Sequence, residues 1–147
     1  MPKQHIAILL VILFLFFGCA SRADDKTVSF LESGVVVNAQ IADTAQERAN
    51  GLMERIFLYE KEGMLFMYDD EEYRVFWMYR TKIPLDVIFI SSDWQVVDFQ
   101  SMEPCEWGEA GKCQRYISDM PAKYALEVNL GFVRKHGIKM GEKVKIG

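Results

Sequence analysis

Histidine is almost absent from this 147-residue chain: His5 and His136 are the only two. A histidine-based zinc site therefore lacks donors, because such sites draw several ligands from histidine and cysteine. Proline is sparse at four residues and cysteine at three. There is no Cys-x-x-Cys pair, no Gly-x-Ser-x-Gly elbow and no glycine-rich phosphate loop. Without them the usual redox, hydrolase and nucleotide signatures have no residues to rest on. Basic residues form no run longer than the pair Arg134-Lys135, and the formal net charge is −4. A chain with interspersed charges and an acidic balance does not present the basic stripe that nucleic acid requires. Residues 6–17 are unbroken apolar sequence, but twelve residues fall short of the roughly 20 that cross a bilayer core.

That apolar run is the first positive feature. A short start carrying Lys3, the run itself, and then Gly18-Cys19-Ala20-Ser21 read as a secretory signal. Gly18 directly before Cys19 resembles the cleavage box of bacterial lipoproteins. In that box the cysteine becomes the new N-terminus and carries acyl chains. The expected organisation is a leader over 1–18, a polar tether over 19–26 and a single β-rich domain over 27–147. Acyl chains anchor stably when more than one is attached, at about 0.8 kcal/mol per buried methylene. Ala20 after the modified cysteine implies the outer membrane, facing the periplasm. The alternative is cleavage after Ala20 or Ala23, which releases a soluble periplasmic or secreted protein.

Three cysteines is an odd number, and export makes the odd one notable. Lipidation of Cys19 leaves Cys105 and Cys113, which flank a turn-rich segment containing Gly108 and Gly111. An oxidising compartment favours joining them. The short loop so closed contributes roughly 2.5 kcal/mol in the chain-entropy model. The other readings are a redox pair and free thiols. A lowered thiol pKa is expected at a helix start, and none is evident beside either cysteine.

The pattern along the domain is mostly one of short strands. Residues 27–31 and 35–42 are rich in β-branched side chains, with Ser33-Gly34 as a hairpin turn between them. Thr44 and Glu47 have the spacing of a capping box, so a short helix follows and ends near Asn50-Gly51. Strands are expected over 63–68, 75–78, 85–90, 94–100, 125–128 and 144–146. Asp69 to Glu72 reads as an acidic turn, and 101–122 as a long loop held by the cysteine pair. Residues 131–136 read as a helical turn stopped by Gly137. Many short strands with one or two short helices point to a mainly β fold, a small jelly-roll-like sandwich or barrel.

Thr44, Arg48 and Gly51-Leu52-Met53-Glu54-Arg55 form a T-x3-R-x2-G-L-M-x-R pattern. Gly63-Met64-Leu65-Phe66, Phe76-Trp77-Met78, Thr81 and Ile83-Pro84-Leu85-Asp86 follow in order. Ala125-Leu126-Glu127-Val128, Gly131 and His136-Gly137-Ile138 complete the series. Together these resemble the bacterial and archaeal family called domain of unknown function 192, over roughly residues 28–147. The resemblance implies the same small, mainly β fold and no established activity. The family typically carries Lys-Asn after its Trp-Met, where this chain has Tyr79-Arg80.

The residues suited to chemistry cluster in these motifs. Asp86 sits at a strand start, and period two places it opposite Leu85 and Val87. A partly buried carboxylate needs a partner, and Arg48, Arg55 and Arg80 are the candidates. It is then a structural lock or a binding carboxylate. Glu127 is the one second carboxylate suited to an acid–base pair; its plainer role is that of a cross-strand partner. Trp77 and Phe76 face opposite ways, so one packs in the core and the other nears a cleft, where a flat ligand stacks. Arg48 either caps its helix or clamps an anion with Arg55, since a guanidinium matches carboxylate or phosphate geometry. Met53, Met64, Met67 and Met78 read as adaptable core filler rather than as Cu(I) ligands. The expected site is a cleft lined by Arg48, Arg55, Trp77, Arg80, Thr81 and Asp86, with Glu127 as a further candidate. No cofactor is implied. The function this supports is a non-catalytic module that binds a small molecule or an envelope protein. The alternative is an envelope hydrolase acting on a sugar or peptide through Asp86 and Glu127.

Overall fold

The computed structural model describes residues 25–105 and 109–147. The expected leader, Cys19 and most of the tether lie outside the described residues, as does Trp107. The domain is mainly β, with two short helices. Its strands are β1 (Lys26–Phe30), β2 (Val36–Ala42), β3 (Glu62–Glu72), β4 (Val75–Trp77), β5 (Leu85–Ile90), β6 (Val96–Met102), β7 (Arg115–Ile117), β8 (Ala122–Asn129) and β9 (Val144–Ile146). Helix α1 (Ala45–Asn50) joins β2 to β3, and α2 (Phe132–His136) follows β8.

Seven strands form one sheet in the order β6-β5-β8-β3-β2-β1-β9. Among the described strands only β2 and β3 pair in parallel, which is why a crossover containing α1 lies between them. The sheet curls into a half-barrel whose two ends meet where Gln95 bridges Lys143. There the Val96 amide donates to the Glu142 carbonyl at 3.0 Å, and the Val144 amide to the Trp94 carbonyl at 2.9 Å. Strands β4 and β7 form a separate two-stranded ribbon over the outer face.

Local chemistry accounts for the turns. Gly34 takes φ 73° and donates its amide to the Phe30 carbonyl at 2.9 Å, closing the β1–β2 hairpin. The Thr44 hydroxyl accepts from the Glu47 amide at 3.2 Å, and Glu47 Oε2 accepts from the Thr44 amide at 3.2 Å. That reciprocal box satisfies orphan donors at the start of α1. Gly137, with φ 67°, ends α2 in the left-handed conformation.

Two apolar clusters hold the domain, one on each face of the sheet. The inner cluster fills the half-barrel with Val28, Phe30, Leu65, Ile88, Leu126 and Val128, and Phe132 and Val133 of α2 plug its end. The outer cluster lies under the ribbon and the α1 connection, and includes Leu52, Phe66, Phe76, Val87 and Phe89. Strand β5 is consequently buried at all six positions. Burying a large apolar side chain contributes about 1.5–3 kcal/mol, so a strand covered on both sides anchors the whole sheet. All strand pairings and both clusters lie within residues 26–146, so this segment carries a complete core.

Two expectations need correction. Residues 69–72 are not a turn: β3 continues through them to Glu72, which pairs with Ala122 after a register shift. Residues 101–122 are not a long loop either. Strand β6 extends to Met102, a 3-10 turn covers Ala110–Lys112, and β7 occupies Arg115–Ile117. Strand β7 exists because β4 is available to pair with it, through Val75–Ile117, Phe76–Tyr116 and Trp77–Arg115. Cys105 and Cys113, with Cα atoms 5.5 Å apart, are placed for a disulfide at the base of this excursion.

Candidate functional site

A polar cavity of about 70 Å³ opens where the end of α1 meets the outer face of the sheet. Arg48 and Gly51 approach it from α1 and its cap, Tyr68 from β3, Trp77 from β4, and Glu127 from β8. Thr81, from the turn after the ribbon, completes the wall. This brings together Arg48, Trp77, Thr81 and Glu127 of the residues expected to form a site.

Glu127 is the chemical centre of the cavity. It is only 5 % exposed, and among the described residues nothing donates a hydrogen bond to its carboxyl or pairs with it. Burial pushes its pKa up to about 8. Removing an ion from water without a partner is expensive, so the group takes up a proton instead. At neutral pH it is a carboxylic acid, able both to donate and to accept. Gly51 lets the chain pass directly over it: a Cβ there would stand 3.9 Å from Glu127 Oε2 and 3.3 Å from Phe66 Cζ.

The walls are fixed by cations and aromatic rings. Arg48 does not cap its helix. Its Nη1 reaches across to the Met67 carbonyl at 2.8 Å and also donates to the Asp43 carbonyl, which pins α1 to β3. Its guanidinium lies 5.0 Å from the centre of the Tyr68 ring, and that of Arg74 lies 3.8 Å from it. Burial pushes the Tyr68 hydroxyl up, and the two arginines oppose that rise. Trp77 carries the Arg115 guanidinium over its ring at 4.2 Å, a cation–π contact that holds the indole in place. Phe76 packs in the outer cluster, edge-on to Phe66 and Phe89. The expected division of labour between these two aromatic neighbours is therefore the one observed. Thr81 is buried, and its hydroxyl has only a long 3.5 Å contact to the Tyr79 carbonyl.

The other expected residues lie elsewhere. Arg55 donates to Gln40 Oε1 at 2.6 Å and is not part of the cavity wall, so it forms no anion clamp with Arg48. Arg80 is exposed and joins Lys82 on Glu54, each at 2.7 Å. Lys82 first, then Arg80, holds the Glu54 carboxyl below its usual range. Exposed pairs of this kind contribute little to stability. Arg80 has φ 56°, a left-handed conformation that asparagine tolerates better than arginine.

Asp86 is buried, but on the opposite face of the sheet. It pairs across with Val128 of the inner cluster, whereas Glu127 pairs with Val87 of the outer cluster. Adjacent strand positions point to opposite faces, so Asp86 and Glu127 do not form an acid–base pair. No arginine meets Asp86 either. Its Oδ1 accepts from the Ser101 hydroxyl at 2.8 Å, and its Oδ2 from the Val133 amide at 3.1 Å. Gly131, at the N-terminus of α2, has no side chain to cap the helix, and Asp86 supplies that cap from a neighbouring strand. It is a structural lock.

Tyr68 and Arg74 were missed in the sequence. Tyr68 reads as the end of an apolar strand, and Arg74 as one more charge after an acidic run. Yet Arg74 is only 8 % exposed. It bonds the Ala122 carbonyl at 2.8 Å and Asp70 Oδ1 at 2.7 Å, which braces Tyr68 from behind. Its only local signal is its position directly before the apolar segment 75–78.

The model of a family described as "Uncharacterized ACR" matches residues 28–146. No protein with a curated description matches significantly. A crystal structure of a protein of unknown function from Novosphingobium aromaticivorans shares 34 % identity at a TM-score of 0.72, over 82 % of this chain and 83 % of that one. A candidate transcription regulator from Sinorhizobium meliloti shares 27 % identity at a TM-score of 0.68, over 82 % of this chain and 90 % of that one.

Proposed function

This chain belongs to the DUF192 family, and from that premise we propose that it is a binding module of the bacterial cell envelope. In this reading it is exported, held to the membrane by acylated Cys19 and stapled by a Cys105–Cys113 disulfide. It takes a small polar ligand, or one polar group of a larger one, into the Glu127 cavity. The observation that carries the proposal is the partnerless, buried Glu127 carboxyl facing Arg48, Trp77 and Thr81 across an open cavity. A buried polar group that finds no partner within its own fold is where a ligand is expected to supply one. With Asp86 turned to the other face, the site offers recognition rather than a two-carboxylate reaction. The regulator description of the Sinorhizobium protein does not transfer readily, because this chain is acidic and has no basic run.

The test is a thermal-shift screen of residues 25–147 against monosaccharides, amino sugars and dipeptides. At a hundred times its Kd, a ligand should add about 2.7 kcal/mol of stability. Trp77→Ala and Thr81→Val should abolish the shift while each variant still unfolds cooperatively. Shifts that survive both substitutions, or no shift across the panel, would remove the site. The anchor has its own check. Intact-mass analysis of membrane-extracted protein should find a chain starting at Cys19, heavier by its acyl groups and lighter than its reduced form by the two thiol hydrogens. An unacylated chain starting at Ser21 or Asp24 would refute the anchor.

A further inference from the structure

A second and larger cavity, about 510 Å³, lies between strand β6 and helix α2. One wall is the end of β6, with Phe99. The other is α2 and its flanks, with Leu130, Val133 and Ile138. Val133 and Ile138 belong to the inner core, and Phe99 packs against it, so the groove is an apolar slot continuous with the barrel interior. Its volume is in the range of small-molecule sites.

The rim has the opposite character. Arg134 and Lys139 border the groove and are exposed, and among the described residues neither side chain has an acidic partner. The neighbouring Lys135 is already paired with Glu60. Two free cations beside an apolar slot stand out on a chain of net charge −4. The one carboxylate in the lining, Asp86, is only 3 % exposed, and both its oxygens are engaged by Ser101 and Val133. It therefore neither neutralises the rim nor seeks a ligand.

We propose that this groove binds a free long-chain carboxylate, its alkyl tail laid along Phe99, Leu130, Val133 and Ile138 and its head held between Arg134 and Lys139. Charge complementarity selects the head, and continuity with the core selects the tail. The slot lies between β6 and α2 instead of forming a flat apolar face, which favours a single free amphiphile over a bilayer surface. The inference is independent of the Glu127 cavity, because the two sites share no residue.

Calorimetry of residues 25–147, a segment that contains all of its own strand pairings and core, tests it with octanoate, decanoate and dodecanoate. Each buried methylene strengthens binding about fourfold, so affinity should rise roughly fifteenfold for each two carbons until the groove is filled. Dodecyltrimethylammonium, with the same tail and an opposite head, should bind far more weakly. The double variant Arg134→Glu/Lys139→Glu should lose at least about twofold and up to about thirtyfold for dodecanoate, the range of two exposed ion pairs, and the loss should shrink at high salt. Leu130→Asp, at an exposed position, should weaken every chain length without unfolding the domain. Absence of saturable dodecanoate binding, equal affinity for the cationic amphiphile, or binding only to anionic phosphatidylglycerol vesicles would overturn the proposal.

Discussion

Glu127→Gln should stabilise the domain strongly at pH 8–9 and change it little at pH 4. The unfolded carboxyl titrates near 4.5 and the folded one near 8, because burial disfavours its charge. Below pH 4.5 both states hold the proton and the group contributes no penalty. As pH rises toward 8 the unfolded chain releases its proton while the folded chain retains it, so stability falls by about 1.4 kcal/mol per pH unit. The total loss by pH 8 is on the order of 4–5 kcal/mol. Glutamine has nearly the same shape and does not ionise, so that loss disappears. Urea denaturation of both proteins at pH 4, 7 and 9 measures the difference, and comparing the two cancels every other titrating group. Parallel stability curves across that range would show that Glu127 is not the buried acid described here. A residue that weakens its own fold at neutral pH sits where function, rather than stability, has the claim.

Gly63→Ala should abolish cooperative folding. A Cβ at that position would lie 2.5 Å from the Glu127 carbonyl oxygen, with Val37 Cγ1 and Val128 Cγ1 each at 3.2 Å. The nearest atom is backbone, so no side-chain rotation relieves the overlap. Strand β3 would have to part from β8, which pairs with it through Met64–Glu127 and Leu65–Leu126. That pairing carries both cores and the placement of Glu127, and a loss of more than about 4 kcal/mol is expected, the size reserved for overpacking and strain in the core. Gly34→Ala is the contrasting case. Nothing lies within 4 Å of its Cβ, and its φ of 73° implies a loss of only about 1–2 kcal/mol. Circular dichroism under denaturant separates the two. A Gly63→Ala protein that unfolds within about 1 kcal/mol of the parent would show that β3 and β8 are less closely apposed than described.

The elements legible in advance were those written in short-range chemistry. Ser33-Gly34, the Thr44–Glu47 box and the Gly137 stop each act over a few residues, so their positions follow from the chain alone. The same holds for the apolar runs that became β3, β5 and β8. Strand β7 was illegible because three residues make no strand without a partner, and its partner β4 lies some forty residues earlier in the sequence. The extension of β3 through 69–72 was missed for the same reason, since acidic residues form a strand there only beside β8.

The site divided along the same line. Sequence by itself determined a mainly β domain and which polar residues stood within its apolar motifs, because composition and periodicity are properties of the chain. Only the tertiary structure decided that Arg48, Trp77, Thr81 and Glu127 share a cavity while Arg55, Arg80 and Asp86 do not. Alternation predicts an inside and an outside, but β5 is covered on both faces. In such a strand every side chain is buried, and which core each one enters is fixed by strands that are distant in sequence.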